Sequence, residues 1–322
     1  MIDYNFMKER YYIGLDIGGT KCAMTFAQID DEPNILRKES FATEGHSPEE
    51  TLSLFSKFIR KHEKMGLSGI GISCGGPLDS KRGVIMSPPS LSDWKDIPVV
   101  NYFRDEFHVP VYLQNDANAC AVAEWKFGAG KGTSNMIFLT FGTGLGAGLI
   151  LNGKLYSGAN DNAGEIGHVR LTDEGPYGYY KYGSCEGYCS GGGIARLARL
   201  MRNARCGDNV GQNITQSESE RLTAKELAER ARQGDEFALS VFRESGKMFG
   251  RTLSILVDLI NPEKIIVGGV YMRAGDLLFP EADKVMRHEC LSYSYHAVSV
   301  EPAGLGENVG DYAALAVARG DF

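Results

Sequence analysis

The sequence predicts an α/β protein built as two related lobes, and three observations carry that expectation. Short apolar strand-like runs alternate with amphipathic helical segments along the chain. A strand, a Gly/Thr turn and a second strand occur as a unit twice, once near the start of each half. The 322 residues suit two domains of about 100–200 residues each.

The first unit opens with an apolar run, Tyr11 to Asp16, followed by Gly18-Gly19-Thr20 and a second run, Cys22 to Ile29. A dinucleotide fingerprint or a P-loop would place a helix after the glycines. A strand follows here, so the glycines form a hairpin tip. Ser47-Pro48-Glu49-Glu50 reads as a capping box with proline at the first helical position, and Leu52, Phe55, Phe58 and Ile59 continue at helical spacing. Gly69 to Ser73 is a buried strand, Pro98 to Phe107 a helix, Val111 to Leu113 a strand and Ala117 to Phe127 a helix. The opening pattern then returns as Met136 to Phe141, the turn Gly142-Thr143-Gly144-Leu145-Gly146, and Ala147 to Leu151. Residues 157–193 lack periodicity and read mostly as a long functional loop. Helices are expected at about 193–204, 223–233, 235–260 and 276–290 and over Asp311 to Arg319, with strands at Ile265 to Val267 and Ala297 to Val300.

Composition narrows the function. At 43% hydrophobic and 23% charged residues, both halves can bury a core. The formal net charge is −7 and no long basic run exists, so the footprint of a duplex-DNA binder is missing. No apolar run reaches the roughly 18 residues of a membrane span, and Met1 to Arg10 has no signal-peptide core. The seven scattered cysteines read as reduced thiols of a cytoplasmic protein.

Three constellations carry chemistry. Glycine lets backbone approach a phosphate and threonine adds a hydroxyl donor, so the paired Gly/Thr turns suit phosphoryl transfer, with Asp16 placed to hold Mg²⁺. Either turn alone is also an ordinary glycine hairpin. Asn115-Asp116-Ala117-Asn118 lies at a strand end, where ligands bind in open α/β sheets and a carboxylate can accept a hydroxyl proton. Asp116 is equally placed to be a helix N-cap. Gly164-Glu165-Ile166-Gly167-His168, with Glu186 further on, offers carboxylates and an imidazole to sugar hydroxyls, or a loop histidine satisfied by backbone.

These segments resemble, in order, the motifs of the repressor–open reading frame–kinase (ROK) family of sugar kinases. Asp16-Ile17-Gly18-Gly19-Thr20-Lys21 is similar to its first phosphate motif, and Phe141-Gly142-Thr143-Gly144-Leu145-Gly146-Ala147-Gly148 to its second. Asn115-Asp116-Ala117-Asn118 with Glu124 resembles the catalytic segment, Asp116 matching the general base. Gly158-Ala159 through His168 resembles the sugar signature, and Asn261 through Gly268-Gly269 the adenosine-side motif. The resemblance runs from about Tyr11 to Ala318. It implies an actin-like (ribonuclease H-like) fold with a cleft between its lobes, residues 1–117 with the C-terminal helix of about 305–322 forming one and 118–304 the other. It implies ATP and Mg²⁺ as cofactors, transfer to a hexose hydroxyl at position 6, and a homodimer or higher even oligomer without nucleic-acid or membrane partners. Glu165, His168, Glu186, Asn115 and Ser90 would hold the sugar, and Asp16, Gly18, Gly19, Thr20, Lys21, Gly142, Thr143, Gly144, Gly268 and Gly269 the nucleotide and its metal.

Two departures are informative. Many family members bind zinc through the signature histidine and three cysteines. Aligned on Glu186, those cysteine positions hold Tyr177, Tyr179 and Ser184, so no structural zinc is expected, and Tyr177, Tyr179, Tyr180, Tyr182 and Tyr188 are the candidates for ordering the loop. A shifted site on His168, Cys185 and Cys189 is the alternative. Ser90 stands where family kinases often have asparagine, which leaves the sugar open. Family members also include sugar-sensing repressors with a helix-turn-helix domain ahead of the kinase-like part, and a non-catalytic sugar-binding module is a further reading. Ten residues before Tyr11 are too few for such a domain.

Overall fold

A computed structural model of the chain describes residues 10–206 and 222–322, without the side chains of Arg205 and Cys206. The polar stretch Met1 to Glu9 lies outside the described residues. In chain order the elements are β1 (Tyr11–Ile17), β2 (Lys21–Ile29), β3 (Pro33–Ala42), α1 (Pro48–His62), β4 (Leu67–Cys74), β5 (Leu78–Asp79), β6 (Val84–Ile85), α2 (Val99–Phe107), β7 (Val111–Asn115) and α3 (Asp116–Phe127). They continue with β8 (Met136–Phe141), β9 (Leu145–Leu151), β10 (Lys154–Tyr156), β11 (Tyr177–Gly178), β12 (Lys181–Tyr182), α4 (Cys185–Tyr188), α5 (Gly191–Cys206), α6 (Ala224–Arg232) and α7 (Glu236–Ile260). The last are β13 (Lys264–Val267), α8 (Tyr271–Glu289), α9 (Ser292–Ala297), β14 (Ser299–Pro302) and α10 (Val309–Arg319).

Contacts divide the chain into two compact units. The first runs to Gly132 and includes Lys154–Ala163 and Glu307–Phe322; the second holds Thr133–Gly153 and Gly164–Gly306. The sheet of the first unit has the order β3-β2-β1-β4-β7. β1, β2 and β3 form an antiparallel meander, while β4 and β7 run parallel to β1. Alternation then sorts the side chains of β1. Ile13, Leu15 and Ile17 join Phe55, Phe58 and Ile59 of α1 and Phe103 of α2 in one core. Gly14 lies against Leu315 and Ala314 of α10. That helix presses closely on β4, for a methyl added at Gly71 would overlap the Ala314 carbonyl oxygen and the Ala318 amide. The capping box of α1 forms as the sequence predicts, with Glu50 N–H donating to Ser47 Oγ at 3.2 Å and Ser47 N–H to Glu50 Oε2 at 2.9 Å.

β3 has no counterpart in the sequence reading. It is an edge strand whose residues are mostly exposed, so it carries no apolar run to betray it.

In the second unit the order is β9-β8-β13-β14. β8 and β9 are antiparallel, and β13 and β14 run parallel to β8. This repeats β2-β1-β4-β7: a hairpin extended by two parallel strands. The repeated Gly/Thr turn is therefore the tip of the same hairpin in each unit. Among the described residues no helix is long and apolar enough to cross a membrane.

Candidate functional site

In the first unit the parallel strands set the geometry. Asp16 of β1 stands opposite Ser73 of β4, and Cys74 of β4 opposite Asn115 of β7, so the carboxyl ends of all three strands meet. Burial, chiefly, pushes the Asp16 carboxyl up to about 7. Asp116 and then Asp311 add to the rise, while a hydrogen bond with Ser73 and the charge of Lys21 oppose it. Two carboxylates thus share the end of the sheet.

Asn115, not Asp116, is the N-cap of α3: its Oδ1 accepts the amides of Ala117 at 2.9 Å and Asn118 at 3.4 Å. Asp116 sits one residue later, exposed, at the first helical position, where the helix dipole favours an anion. Its Oδ1 accepts the Ala117 amide at 2.8 Å. Glu124 is fully buried and accepts the Ala129 amide at 2.8 Å, closing the end of α3, a structural task.

The first Gly/Thr turn is closed by Gly18 N–H donating to Lys21 O at 3.2 Å. Thr43, which the sequence reading passed over, braces it from the end of β3. Its hydroxyl donates to Gly18 O at 2.6 Å and its amide to Thr20 O at 3.0 Å. Gly19, Thr20 and Lys21 remain exposed. Ser90 packs beside Gly19, and both line a cavity of about 350 Å³ with Thr20, Thr43, His46 and Trp94.

In the second unit Gly142 N–H donates to Gly144 O at 3.0 Å, leaving Thr143 exposed at the tip. Gly268 and Gly269 end β13 beside this turn: Val270 N–H donates to Phe141 O at 2.6 Å. Gly269 has φ 68°, and a side chain there would strike the Phe141 carbonyl, so only glycine fits. The first turn of α5 also arrives here, Gly191 N–H donating to Gly142 O at 2.8 Å. Gly191-Gly192-Gly193, three glycines opening a helix after Ser190, were a readable signal that the expected site residues did not include.

Glu165, His168 and Glu186, the residues expected to meet the sugar, converge on Tyr179. Its hydroxyl donates to Glu165 Oε2 at 2.6 Å, its amide to Glu186 Oε1 at 3.0 Å, and its ring meets His168 edge-on at 4.9 Å. Glu186 Oε2 accepts the Leu145 amide at 3.3 Å, which ties this loop to the second Gly/Thr turn. Lys181 Nζ lies 3.1 Å from His168 Nδ1. Ser184 fastens the hairpin to α4: its hydroxyl donates to Gly178 O at 2.7 Å and accepts the Gly187 amide at 3.0 Å. Tyr177 packs on Tyr182 at 5.3 Å, and Tyr188 Oη lies 3.0 Å from Thr172 Oγ1. Cys185 and Cys189 are fully buried, while His168 is exposed. Among the described residues no group of three or more His, Cys, Asp or Glu is gathered as a metal cage.

The model of the ROK family matches residues 12–320. The chain belongs to the ROK family. A relative, the glucokinase of Halalkalibacterium halodurans, is 33% identical over 291 residues, 84% of this chain and 84% of its own. The structure of a ROK family glucokinase from Streptomyces griseus in complex with glucose and AMPPNP is 32% identical, with a TM-score of 0.74 over 96% of this chain and 99% of that one. A regulator matches as well: the DNA-binding transcriptional repressor Mlc of Escherichia coli is 29% identical over 300 residues, 90% of this chain and 71% of its own. The fold is accordingly the two-lobed actin-like α/β fold of ROK sugar kinases.

Proposed function

We propose that this ROK protein is an ATP-dependent hexose kinase acting on the 6-hydroxyl. The observation that carries the reading is the carboxylate pair Asp16 and Asp116 at the carboxyl ends of parallel strands, beside the braced turn Gly18-Gly19-Thr20.

Asp16 fits a hard divalent cation, because burial and the neighbouring charge of Asp116 disfavour its bare carboxylate and such ions take oxygen ligands. Asp16 and the phosphates of ATP would hold Mg²⁺, which when bound neutralises phosphate charge. Asp116, exposed at the start of α3, accepts the proton of the sugar hydroxyl as it attacks. Backbone amides of Gly18, Gly19, Thr20 and Lys21, and of Gly142, Thr143 and Gly144 with Gly268 and Gly269, cradle the nucleotide phosphates. Glu165, His168 and Glu186 are the candidates to hold sugar hydroxyls, as are the amide nitrogen of Asn115 and the hydroxyl of Ser90. Cys22, Cys74, Cys120, Cys185, Cys189 and Cys290 are free thiols, in keeping with a reducing cytoplasm. A homodimer or a higher even oligomer is the expected assembly, symmetric dimers being the commonest closed arrangement.

A coupled ADP-release assay over glucose, fructose, mannose, allose and N-acetylmannosamine tests the reading. Turnover dependent on one of these sugars and on Mg²⁺ is expected. Tight sugar binding with no ADP release would instead indicate a sensor like the repressor relatives.

A further inference from the structure

We propose that Tyr179 is a positioning residue for the sugar: one side chain and its amide set the spacing and orientation of Glu165, Glu186 and His168. The inference rests on the hexose-kinase reading above.

The geometry is unusual for a tyrosine. β11 and β12 pair Gly178 with Lys181, so Tyr179 and Tyr180 are the two central residues of the hairpin turn. Both have positive φ, 49° and 63°. Such a turn favours Asn-Gly, and bulky side chains there are strained. Strain of this kind persists where surrounding contacts over-determine it. Here the contacts are with the candidate sugar residues: phenol to Glu165 at 2.6 Å, amide to Glu186 at 3.0 Å, ring to His168 at 4.9 Å. Tyr180 shows the contrast, since it shares the strained backbone yet is 74% exposed. Burial, followed by the hydrogen bond to Glu165 and the charges of Glu165 and Glu186, raises the phenol, so it stays a neutral donor at physiological pH. A neutral donor between two carboxylates can hold them near one another without adding charge. Ser184 in turn fixes the hairpin to α4, which carries Glu186.

Tyr179→Phe keeps the ring and the amide and removes only the phenol. A hydrogen bond to a charged group is worth enough to change affinity about 10- to 150-fold. The expected result is a rise of about that size in the KM for the hexose, with kcat and the KM for ATP within about twofold of wild type. Tyr179→Asn, whose short side chain tolerates the positive φ, should raise the hexose KM at least as far without lowering the Tm. Tyr180→Phe serves as the control and should leave both KM values unchanged. An unaltered hexose KM in Tyr179→Phe, or an equal rise in both KM values, would overturn the inference while leaving the kinase reading intact. A wild-type chain that neither binds nor phosphorylates any hexose of the panel would overturn both.

Discussion

At the residue scale the decisive pair is Asp16 and Asp116, and they are asked to do different things. Asn115 takes the capping of α3, which places Asp116 at the exposed start of the helix rather than in the cap. The sequence could not decide between the two, because both Asn and Asp cap well and only backbone geometry assigns the role. Asp116→Asn should keep the fold and nucleotide affinity while kcat falls about 100- to 10,000-fold, the range for losing a general base; turnover close to wild type would remove Asp116 from that role. Asp16 is a matter of stability as well. Its carboxyl is raised from 3.8 to about 7, mainly by burial and then by Asp116. A folded-state pKa above the unfolded one means that stability from this group is full below the unfolded value and is lost as pH rises through the folded one. Asp16→Asn should therefore raise the Tm of the protein free of ATP and Mg²⁺ at pH 8, by about 2–6 °C, with the gain vanishing near pH 4. Equal melting of variant and wild type at pH 8 would show that Asp16 ionises without penalty. The gain should be accompanied by lost activity, the usual exchange at a functional site.

At the scale of elements, what the sequence displays depends on burial. The Gly/Thr hairpins, the capping box of α1 and the long helix α7 were legible, since each combines apolar periodicity with a turn or cap signal. The edge strand β3 was not, because its exposed faces remove the alternation. The hairpin of β11 and β12 was hidden for another reason: two tyrosines occupy positions where propensity asks for asparagine and glycine. The sequence offered the five tyrosines as candidates for ordering this loop; Tyr179 bonds Glu165 and Glu186 while Tyr180 is 74% exposed, and Ser184 at an aligned cysteine position supplies the bond between hairpin and helix. From this follows an expectation about metal. Burial raises the thiols of Cys185, to about 11, and of Cys189, and both are fully buried whereas His168, the third residue of the alternative site, is exposed. Cys185 Sγ accepts from Thr252 Oγ1 at 3.4 Å, and Cys189 Sγ donates to the Ser245 carbonyl at 3.9 Å. The purified enzyme should keep full activity through dialysis against a zinc-selective chelator. Elemental analysis finding about one retained zinc per chain, needed for activity, would mean that the tyrosine hairpin does not do the ordering.

At the scale of the whole molecule the internal repeat is the most legible property and the mode of assembly the least. The repeat shows in sequence because the same hairpin tip of glycine and threonine recurs between two apolar strands. An interface shows only as apolar side chains left outside, and periodicity cannot tell these from core. In the second unit Leu259 is 75% exposed, Leu291 67% and Tyr293 94%. The Leu291 amide donates to Asp258, the neighbour of Leu259, at 3.1 Å, and Tyr293 follows two residues later. Arg170, Arg251, Asp258 and Glu289 line an adjoining cavity of about 550 Å³, so charges of both signs rim the apolar patch. A two-fold interface brings a patch against its own copy, and a rim of mixed sign is complementary to itself under that rotation. A second copy of this chain is therefore the expected occupant. Light scattering at micromolar concentration should give twice the 35.2 kDa of one chain. Replacing both Leu259 and Tyr293 by aspartate should return the monomer mass with folding intact, because neither side chain contributes to a core. A monomeric wild type would refute the dimer itself, and a variant that stays dimeric would move the interface to another surface.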